Sequence, residues 1–290
     1  MESAPALKWW PKAQLQAHPI RKVVACGRQL NPPLFSQVVN FPRIELPVRG
    51  VYENQIEVNG QVASVSLRPG MALFAAPNCW NLPEWRAGLE LLCLHFGRTQ
   101  LAVSLLSSPL SEGRPRVASR KHSLPRPLTG PLPPLISALV ELQATESPPE
   151  TLADVTRAVL RCVEELLRQP VRQNVSKAQA LLEDIRVYLQ SHYQYDISRD
   201  SVAAQFKISP NHLSRLFQTH GNMTFSSYLT HVRIDRAKHL LRNYNLKLDD
   251  VAARCGYHDT PYFCHVFKNV TKCTPMEYRL NHHRPGATAA

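Results

Sequence analysis

Two short runs, about fifty residues apart, carry side chains suited to reading nucleic-acid bases. The first holds Asn211, Ser214, Arg215 and Gln218. They alternate with Leu213, Leu216 and Phe217, which fall at i, i+3 and i+4 and so form one apolar helical face. The second holds Thr260, Cys264, His265 and Lys268, interleaved with Phe263 and Phe267. An arginine fork matches a guanine edge and an asparagine amide matches an adenine edge. Arg215 has two other uses open to it, a phosphate or a neighbouring helix. Cys264 and His265 make weaker base contacts, so the second run is expected to specify less and position more. Leu213, Phe217, Phe263 and Phe267 are expected in the core.

Both runs sit in a repeated frame. Ser198 can cap a first helix, and Ser209-Pro210 places a cap before a proline that starts a second one. Asp250-Val251-Ala252-Ala253 echoes Ser201-Val202-Ala203-Ala204 at an offset of 49, and Phe263 to Lys268 echoes Leu213 to Gln218 at an offset of 50. The second turn therefore carries one extra residue, and Gly256 lies in it, where a left-handed backbone suits glycine. Asp259 can cap the second recognition helix, with Pro261 in its first turn. A short turn between paired helices favours a helix-turn-helix. Thr224 to Arg242 carries a helical stripe of Phe225, Tyr228, Leu229, Val232, Ala237, Leu240 and Leu241. At 1.5 Å per residue it spans roughly 25–30 Å, enough to hold two recognition helices near one DNA turn apart, about 34 Å. Thr274-Pro275-Met276-Glu277 combines a cap, a proline and a glutamate three residues after the cap.

Leu213 to Phe217, Tyr228-Leu229, Arg233, Ala237, Leu240-Leu241, Gly256-Tyr257, Asp259, Tyr262-Phe263, Phe267-Lys268, Thr274-Pro275 and Tyr278-Arg279 together resemble the AraC family of bacterial transcription regulators. The resemblance covers about the last hundred residues. It implies seven helices, with both recognition helices entering successive major-groove segments of double-stranded DNA. It also implies RNA polymerase as a partner, and activation ahead of repression. The chain departs from the family pattern at Cys264-His265, where Ser-Arg is common, and at Asn222 and Lys272, where glycine is common.

A formal charge of +12 over 290 residues favours a polyanionic partner. The charge does not locate the site, because the excess is +6 on each side of Lys177. Seven cysteines, none spaced Cys-x-x-Cys, argue against a disulfide framework. No run approaches ~18 apolar residues, so no membrane span is expected, and a cytoplasmic protein is the expectation.

The first half reads as many short strands: Val23 to Cys26, Phe35 to Phe41, Gly50 to Val58, Val62 to Leu67, Met71 to Ala75 and Leu89 to Phe96. Asn59-Gly60 is a hairpin signal; Arg68-Pro69-Gly70 and Ala76-Pro77-Asn78 are further turns. The fold class expected is a mainly antiparallel β barrel or sandwich plus helices, followed by an all-α part. Its layout is similar to the cupin-like sensor domain of many AraC-type regulators. The organisation expected is an extension at 1–22, with Trp9-Trp10 packed or exposed. A sensor-like β domain follows at 23–126, with a basic connector from Arg98 to Arg126 that includes Arg114, Arg116, Arg120 and Lys121. A helical pair follows at 127–169, for dimerisation or for packing on its own barrel. A linker at 170–176 leads to a DNA-binding domain at 177–285. Tyr52, Trp80 and Trp85 are candidates to line an apolar effector pocket, with core packing as the plainer role.

Enzymatic chemistry finds little support. Between Val23 and Gly97 the only histidine is His95, expected as a packed strand residue, although a Cys93/His95 soft-ligand or redox pair is conceivable. A metal site needs several ligands in one place, so no metal, cofactor or catalytic residue is assigned. The function expected is a sequence-specific DNA-binding regulator, activation being implied by the resemblance only, with an effector-sensing or dimerising N-terminal domain, a small-molecule effector and a homodimer both left open. Its alternatives are a regulator without a small-molecule effector, a metal- or cysteine-dependent enzyme fused to DNA-binding units, and a nonspecific architectural binder.

Overall fold

The computed structural model describes residues 18–27, 30–33, 36–97, 101–108, 118–124, 128, 130–145, 147–168 and 177–282. The chain divides into two compact units, residues 1–30 with 36–180, and residues 31–35 with 181–290.

The first unit holds two sheets. The six-stranded sheet runs in the order β1 (Lys22–Cys26), β6 (Met71–Ala75), β3 (Arg43–Arg49), β8 (Glu90–Phe96), β9 (Leu101–Ser107) and β10 (Ala118–Leu124). The four-stranded sheet runs β2 (Gln37–Val38), β7 (Trp80–Glu84), β4 (Tyr52–Val58) and β5 (Gln61–Leu67). Only β1 and β6 pair in parallel; the other described pairs are antiparallel. Turn chemistry sets several of these registers. Asn59 and Gly60 both adopt positive φ, 50° and 74°, which matches the right-handed twist of the β4–β5 hairpin. Asn78 takes φ 67° between Ala76 and Cys79, whose N–H returns to the Ala76 carbonyl at 3.1 Å.

Two helices, α1 (Leu132–Ala144) and α2 (Pro149–Arg168), pack on this unit. Leu132, Ile136 and Leu139 join Leu152, Val159, Val163 and Leu167 in one apolar cluster with Ile44, Leu46, Phe74 and Leu92 of the strands. Within this chain the helical pair packs on its own β structure.

Four strands were not expected from the sequence. β3 contains Arg43, Glu45 and Pro47, and the Arg43 and Glu45 side chains are buried together. β7 contains Pro83. β9 and β10 fall inside the expected connector, which is corrected accordingly: Arg120 and Lys121 lie in a strand. The run expected from Phe35 to Phe41 forms a strand only at Gln37–Val38. Trp9-Trp10, Arg114, Arg116 and the 170–176 linker lie outside the described residues.

From Lys177 the chain is helical: α3 (Lys177–His192), α4 (Arg199–Gln205), α5 (Pro210–Gly221), α6 (Phe225–Asn243), α7 (Leu248–Arg254), α8 (Thr260–Thr271) and α9 (Pro275–His282). These are the seven helices the resemblance implied. No helix among the described residues is long and apolar enough to cross a membrane.

Candidate nucleic-acid interface

Each recognition helix is built by its caps. Ser198 and Ser201 exchange N–H···Oγ bonds, both 3.0 Å, at the start of α4. The chain then turns through Lys207, at φ 55°, and the Ile208 N–H returns to the Ala203 carbonyl at 3.0 Å. Ser209 accepts from the His212 N–H at 3.1 Å, and Pro210 opens α5. Leu213, Leu216, Phe217 and Gly221 are buried, while Asn211, Arg215 and Gln218 are exposed. Ser214 is half-buried and donates its hydroxyl to the Pro210 carbonyl at 3.1 Å. Asn222 closes the helix at φ 55°.

The second unit repeats the plan. After α7, Gly256 turns at φ 80° and the Tyr257 N–H returns to the Ala252 carbonyl at 3.0 Å. Asp259 Oδ1 accepts from the Tyr262 N–H at 2.6 Å. Phe263 and Phe267 are buried; His265 and Lys268 are exposed. Lys272 closes α8 at φ 69°. The departures at Asn222 and Lys272 thus keep the left-handed backbone that glycine would provide; asparagine tolerates it with least strain.

Three side chains of this unit differ from the simple groove-facing picture. Thr260 is half-buried and donates its hydroxyl to Asp249 Oδ1 of α7 at 2.7 Å. Cys264 packs against the apolar cluster around Phe263 and Phe267; burial, then the nearby Asp249 carboxylate, pushes its thiol up. His265 Nε2 lies 2.9 Å from Asn269 Nδ2. Conversely, Tyr262 is 60% exposed and sits one turn before His265. The sequence reading did not select it. The i, i+3 spacing from Tyr262 to His265 is the signal that could have done so.

Helix α6 joins the two helix-turn-helix units. Thr224 caps it, accepting from the Ser227 N–H at 3.1 Å. Nineteen residues give a span of about 28 Å. Its first turns face the first helix-turn-helix, where the Phe225 and Phe217 rings meet edge-on at 5.7 Å. Its last turns supply Ile234, Ala237, Leu240 and Leu241 to the second core. Arg233 binds the Tyr193 carbonyl through Nε (2.9 Å) and the Tyr195 carbonyl through Nη2 (3.1 Å). It also lies 5.4 Å over the Tyr257 ring. At α9, Thr274 and Glu277 form the expected capping box. The two bonds from Thr274 hold the Glu277 carboxyl below its usual range.

The pocket candidates of the first unit are placed differently. Tyr52 and Trp80 are fully buried. Tyr52 donates to Glu45 Oε2 at 2.6 Å, and Trp80 Nε1 donates to the Leu30 carbonyl at 3.2 Å. Trp85 is half-buried, its ring 6.2 Å from that of Tyr52. These aromatics are core residues, and Tyr52 is anchored in a polar cluster instead of an apolar pocket. Burial opposes the Arg43 charge in that cluster, but Glu45 at 3.0 Å, together with Cys26 and Tyr52, outweighs it, so the guanidinium is held more firmly protonated than usual. His95 lies against Phe41, ring centroids 5.5 Å apart. Among the described residues no three His, Cys, Asp or Glu side chains group as a metal site would require.

A helix-turn-helix domain family matches residues 202–281. The uncharacterized HTH-type transcriptional regulator YijO of Escherichia coli K12 is 34% identical over 253 residues, covering 87% of this chain and 85% of YijO. The HTH-type transcriptional activator RhaS of Klebsiella pneumoniae is 28% identical over 143 residues, covering 49% of this chain and 51% of RhaS. A solved transcriptional regulator of Chromobacterium violaceum, described as having an AraC-type DNA-binding domain, is 26% identical. It covers 38% of this chain and 97% of its own, at a TM-score of 0.35.

Proposed function

The chain belongs to the AraC family of helix-turn-helix transcription regulators, and from that premise we propose that it activates transcription by reading a bipartite DNA site. The DNA-binding regulator is the family's common ground; the finer roles below are our reading. The observation that carries them is the pair of capped helices whose apolar faces are buried and whose opposite faces expose Asn211, Arg215 and Gln218 on α5, and His265 and Lys268 on α8.

Arg215 and Asn211 read base edges in one major-groove segment. Gln218 and Ser214 support them, Ser214 with its hydroxyl already engaged by the helix backbone. Lys268 contacts phosphate and His265 a base edge or phosphate in the next segment. Cys264 offers a neutral thiol, and Thr260 orients the start of α8 through Asp249 instead of meeting a base. The N-termini of α5 and α8 favour phosphate through their free N–H groups. Similarity to an activator over half the chain supports activation, and hence a contact with RNA polymerase. The β unit senses an effector in the cytoplasm and changes how the DNA-binding units of a homodimer are presented, which requires different affinities for the two arrangements. The domain boundaries proposed are 23–126, 127–169 and 177–285. No catalytic chemistry is assigned.

The test is selection of genomic DNA fragments by the purified protein at physiological salt, with Arg215→Ala in parallel. A few sites sharing one motif, lost or relaxed in the variant, is the expected result. Diffuse recovery that ignores the substitution would move the reading to a nonspecific architectural binder.

A further inference from the structure

Among the described residues β1, β10, β2 and β5 end the two sheets, and the first three are defended against pairing with another chain. β2 is two residues long. β1 opens with Lys22, and Arg157 of α2 donates from Nη1 to the Ile20 carbonyl just before it at 2.6 Å. β10 carries Arg120, Lys121 and His122. Short length, basic residues and a helix packed alongside are the usual means of blunting a sheet edge. β5 has none of them. Its seven residues, Gln-Val-Ala-Ser-Val-Ser-Leu, include no charge and no proline, and its register with β4 runs unbroken from Gln61 to Leu67.

The hairpin fixes which groups of β5 point outward. In a two-residue hairpin the flanking pair, here Val58 and Gln61, is hydrogen-bonded, and bonded pairs alternate along the ladder. Gln61, Ala63, Val65 and Leu67 thus bond to β4, whereas the N–H and C=O groups of Val62, Ser64 and Ser66 point away from it. Side chains alternate as well. Val62, 55% exposed, shares the outer face with Ser64 and Ser66, both exposed. Ala63 and Val65 share the core face, opposite Ile56 and Asn54. Both are only half-buried, although Val65 touches the core, so the core is left open along this edge. The carboxylate beside Ser66, that of Glu53, accepts from the Ser66 hydroxyl at 2.5 Å and lies 3.8 Å from Arg86.

We propose that β5 pairs antiparallel with β5 of a second copy about a two-fold axis at Ser64, joining two four-stranded sheets into one continuous sheet. This rests on the homodimer read above and supplies its surface. The outward groups are symmetric about Ser64: Val62 meets the partner's Ser66, Ser64 meets its own counterpart, and Ser66 meets the partner's Val62. Two bonds from each such pair give about six N–H···O bonds across the axis. On the core face Ala63 meets the partner's Val65 and Val65 the partner's Ala63, small against large, which covers both half-buried side chains. No pair sets like charges against each other. A charge of +12 opposes self-association in general, and an uncharged edge is where two copies approach at least cost. A strand of this length spans about 23 Å, so the interface is small and the dimer depends on concentration. Each copy uses its one undefended edge, so assembly closes at two.

The experiment is sedimentation velocity of the full chain, without DNA, across about 1–100 μM. Wild type passes from one chain to two as concentration rises. Ser64→Pro removes an outward N–H that β4 does not use, a position where an edge strand tolerates proline, and so loses two bonds at the axis. Ser64→Lys sets two ammonium groups opposite each other there. Each weakens the dimer about tenfold or more. All four tryptophans lie within the first 85 residues, so an unchanged tryptophan-fluorescence melt of the dilute variants shows that the first unit still folds. Ser64→Lys mixed with equimolar Ser64→Glu forms a dimer that neither variant forms alone. A wild type that stays a single chain throughout overturns the edge pairing and the homodimer together, leaving the edge to a strand of another protein. A dimer that both variants leave unweakened overturns the edge alone. Absence of the mixed dimer overturns the axis at Ser64, and species larger than two overturn the closed two-fold.

Discussion

Gly256 and Lys207 occupy the same place in the two helix-turn-helix turns, at φ 80° and φ 55°, yet substitutions at them should differ sharply. For Gly256→Ala, the left-handed backbone costs a Cβ-bearing residue about 1–2 kcal/mol. The new Cβ would also lie 2.5 Å from the Tyr193 carbonyl oxygen and 3.0 Å from Arg233 Nη2. That carbonyl already accepts from Arg233 Nε at 2.9 Å, so neither neighbour moves without breaking the latch between α6 and the end of α3. Crowding of this kind adds about 1–3 kcal/mol, for a total of about 2–5 kcal/mol. Lys207→Gly relieves strain of about 1 kcal/mol but adds backbone entropy to the unfolded chain worth about 0.5–1 kcal/mol, so its net effect is small and not destabilising. The assay is urea unfolding followed at 222 nm for the helices and by tryptophan fluorescence for the first unit. With a urea slope of about 1–3 kcal/mol per molar, Gly256→Ala moves the helical transition down by about 1 M or more and leaves the tryptophan transition in place. A helical midpoint within about 0.2 M of wild type would refute the steric account of this turn.

Lys268→Ala should weaken binding to all DNA sequences alike and lower the slope of log K against log salt by about 0.9; a sequence-dependent loss would contradict a phosphate role. The Cys255 thiol is pushed up from an ordinary value near 9.0 to about 12 by burial, and the Tyr257 hydroxyl from 10.0 to about 12 by burial. Each folded value exceeds its unfolded one, so the stability linked to them is complete below about pH 9 and is lost as pH rises toward 12. The urea midpoint of the helical transition should fall across that window, and Cys255→Ala should flatten the early part of the fall; a flat profile in wild type would contradict it. Asp249→Asn removes one of the two causes that raise the Cys264 thiol while retaining an Oδ1 acceptor for Thr260. Cys264 should then react faster with iodoacetamide at pH 8.5, and an unchanged rate would show that burial alone sets it.

The helix-turn-helix pair was legible residue by residue, because its information is local. Ser209-Pro210, Asp259 and Thr274-Pro275 state helix starts through groups that bond within three residues. The stripes of Leu213, Phe217, Phe263 and Phe267 state which face turns inward. The β unit was legible only where turn chemistry is local too, as at Asn59-Gly60 and Pro77-Asn78. β3 escaped because Arg43 and Glu45 look like surface residues; only their pairing along the strand, with Asn81 from the other sheet, compensates their burial. β9 and β10 escaped because a strand of a long sheet takes its hydrogen bonds from distant chain, and the prolines and basic residues nearby resemble a connector.

The sequence by itself determined that this chain carries two capped recognition helices joined by a long one, and which side chains those helices could present to DNA. Tertiary structure decided which of them are available. Asp249 takes the Thr260 hydroxyl, the core takes much of Cys264, and Tyr262 is left exposed. It likewise turned Tyr52 from a pocket aromatic into the anchor of a buried polar cluster. Local hydrogen bonds and periodicity are written along the chain, whereas burial and pairing depend on which distant residue arrives opposite, and only the folded chain fixes that.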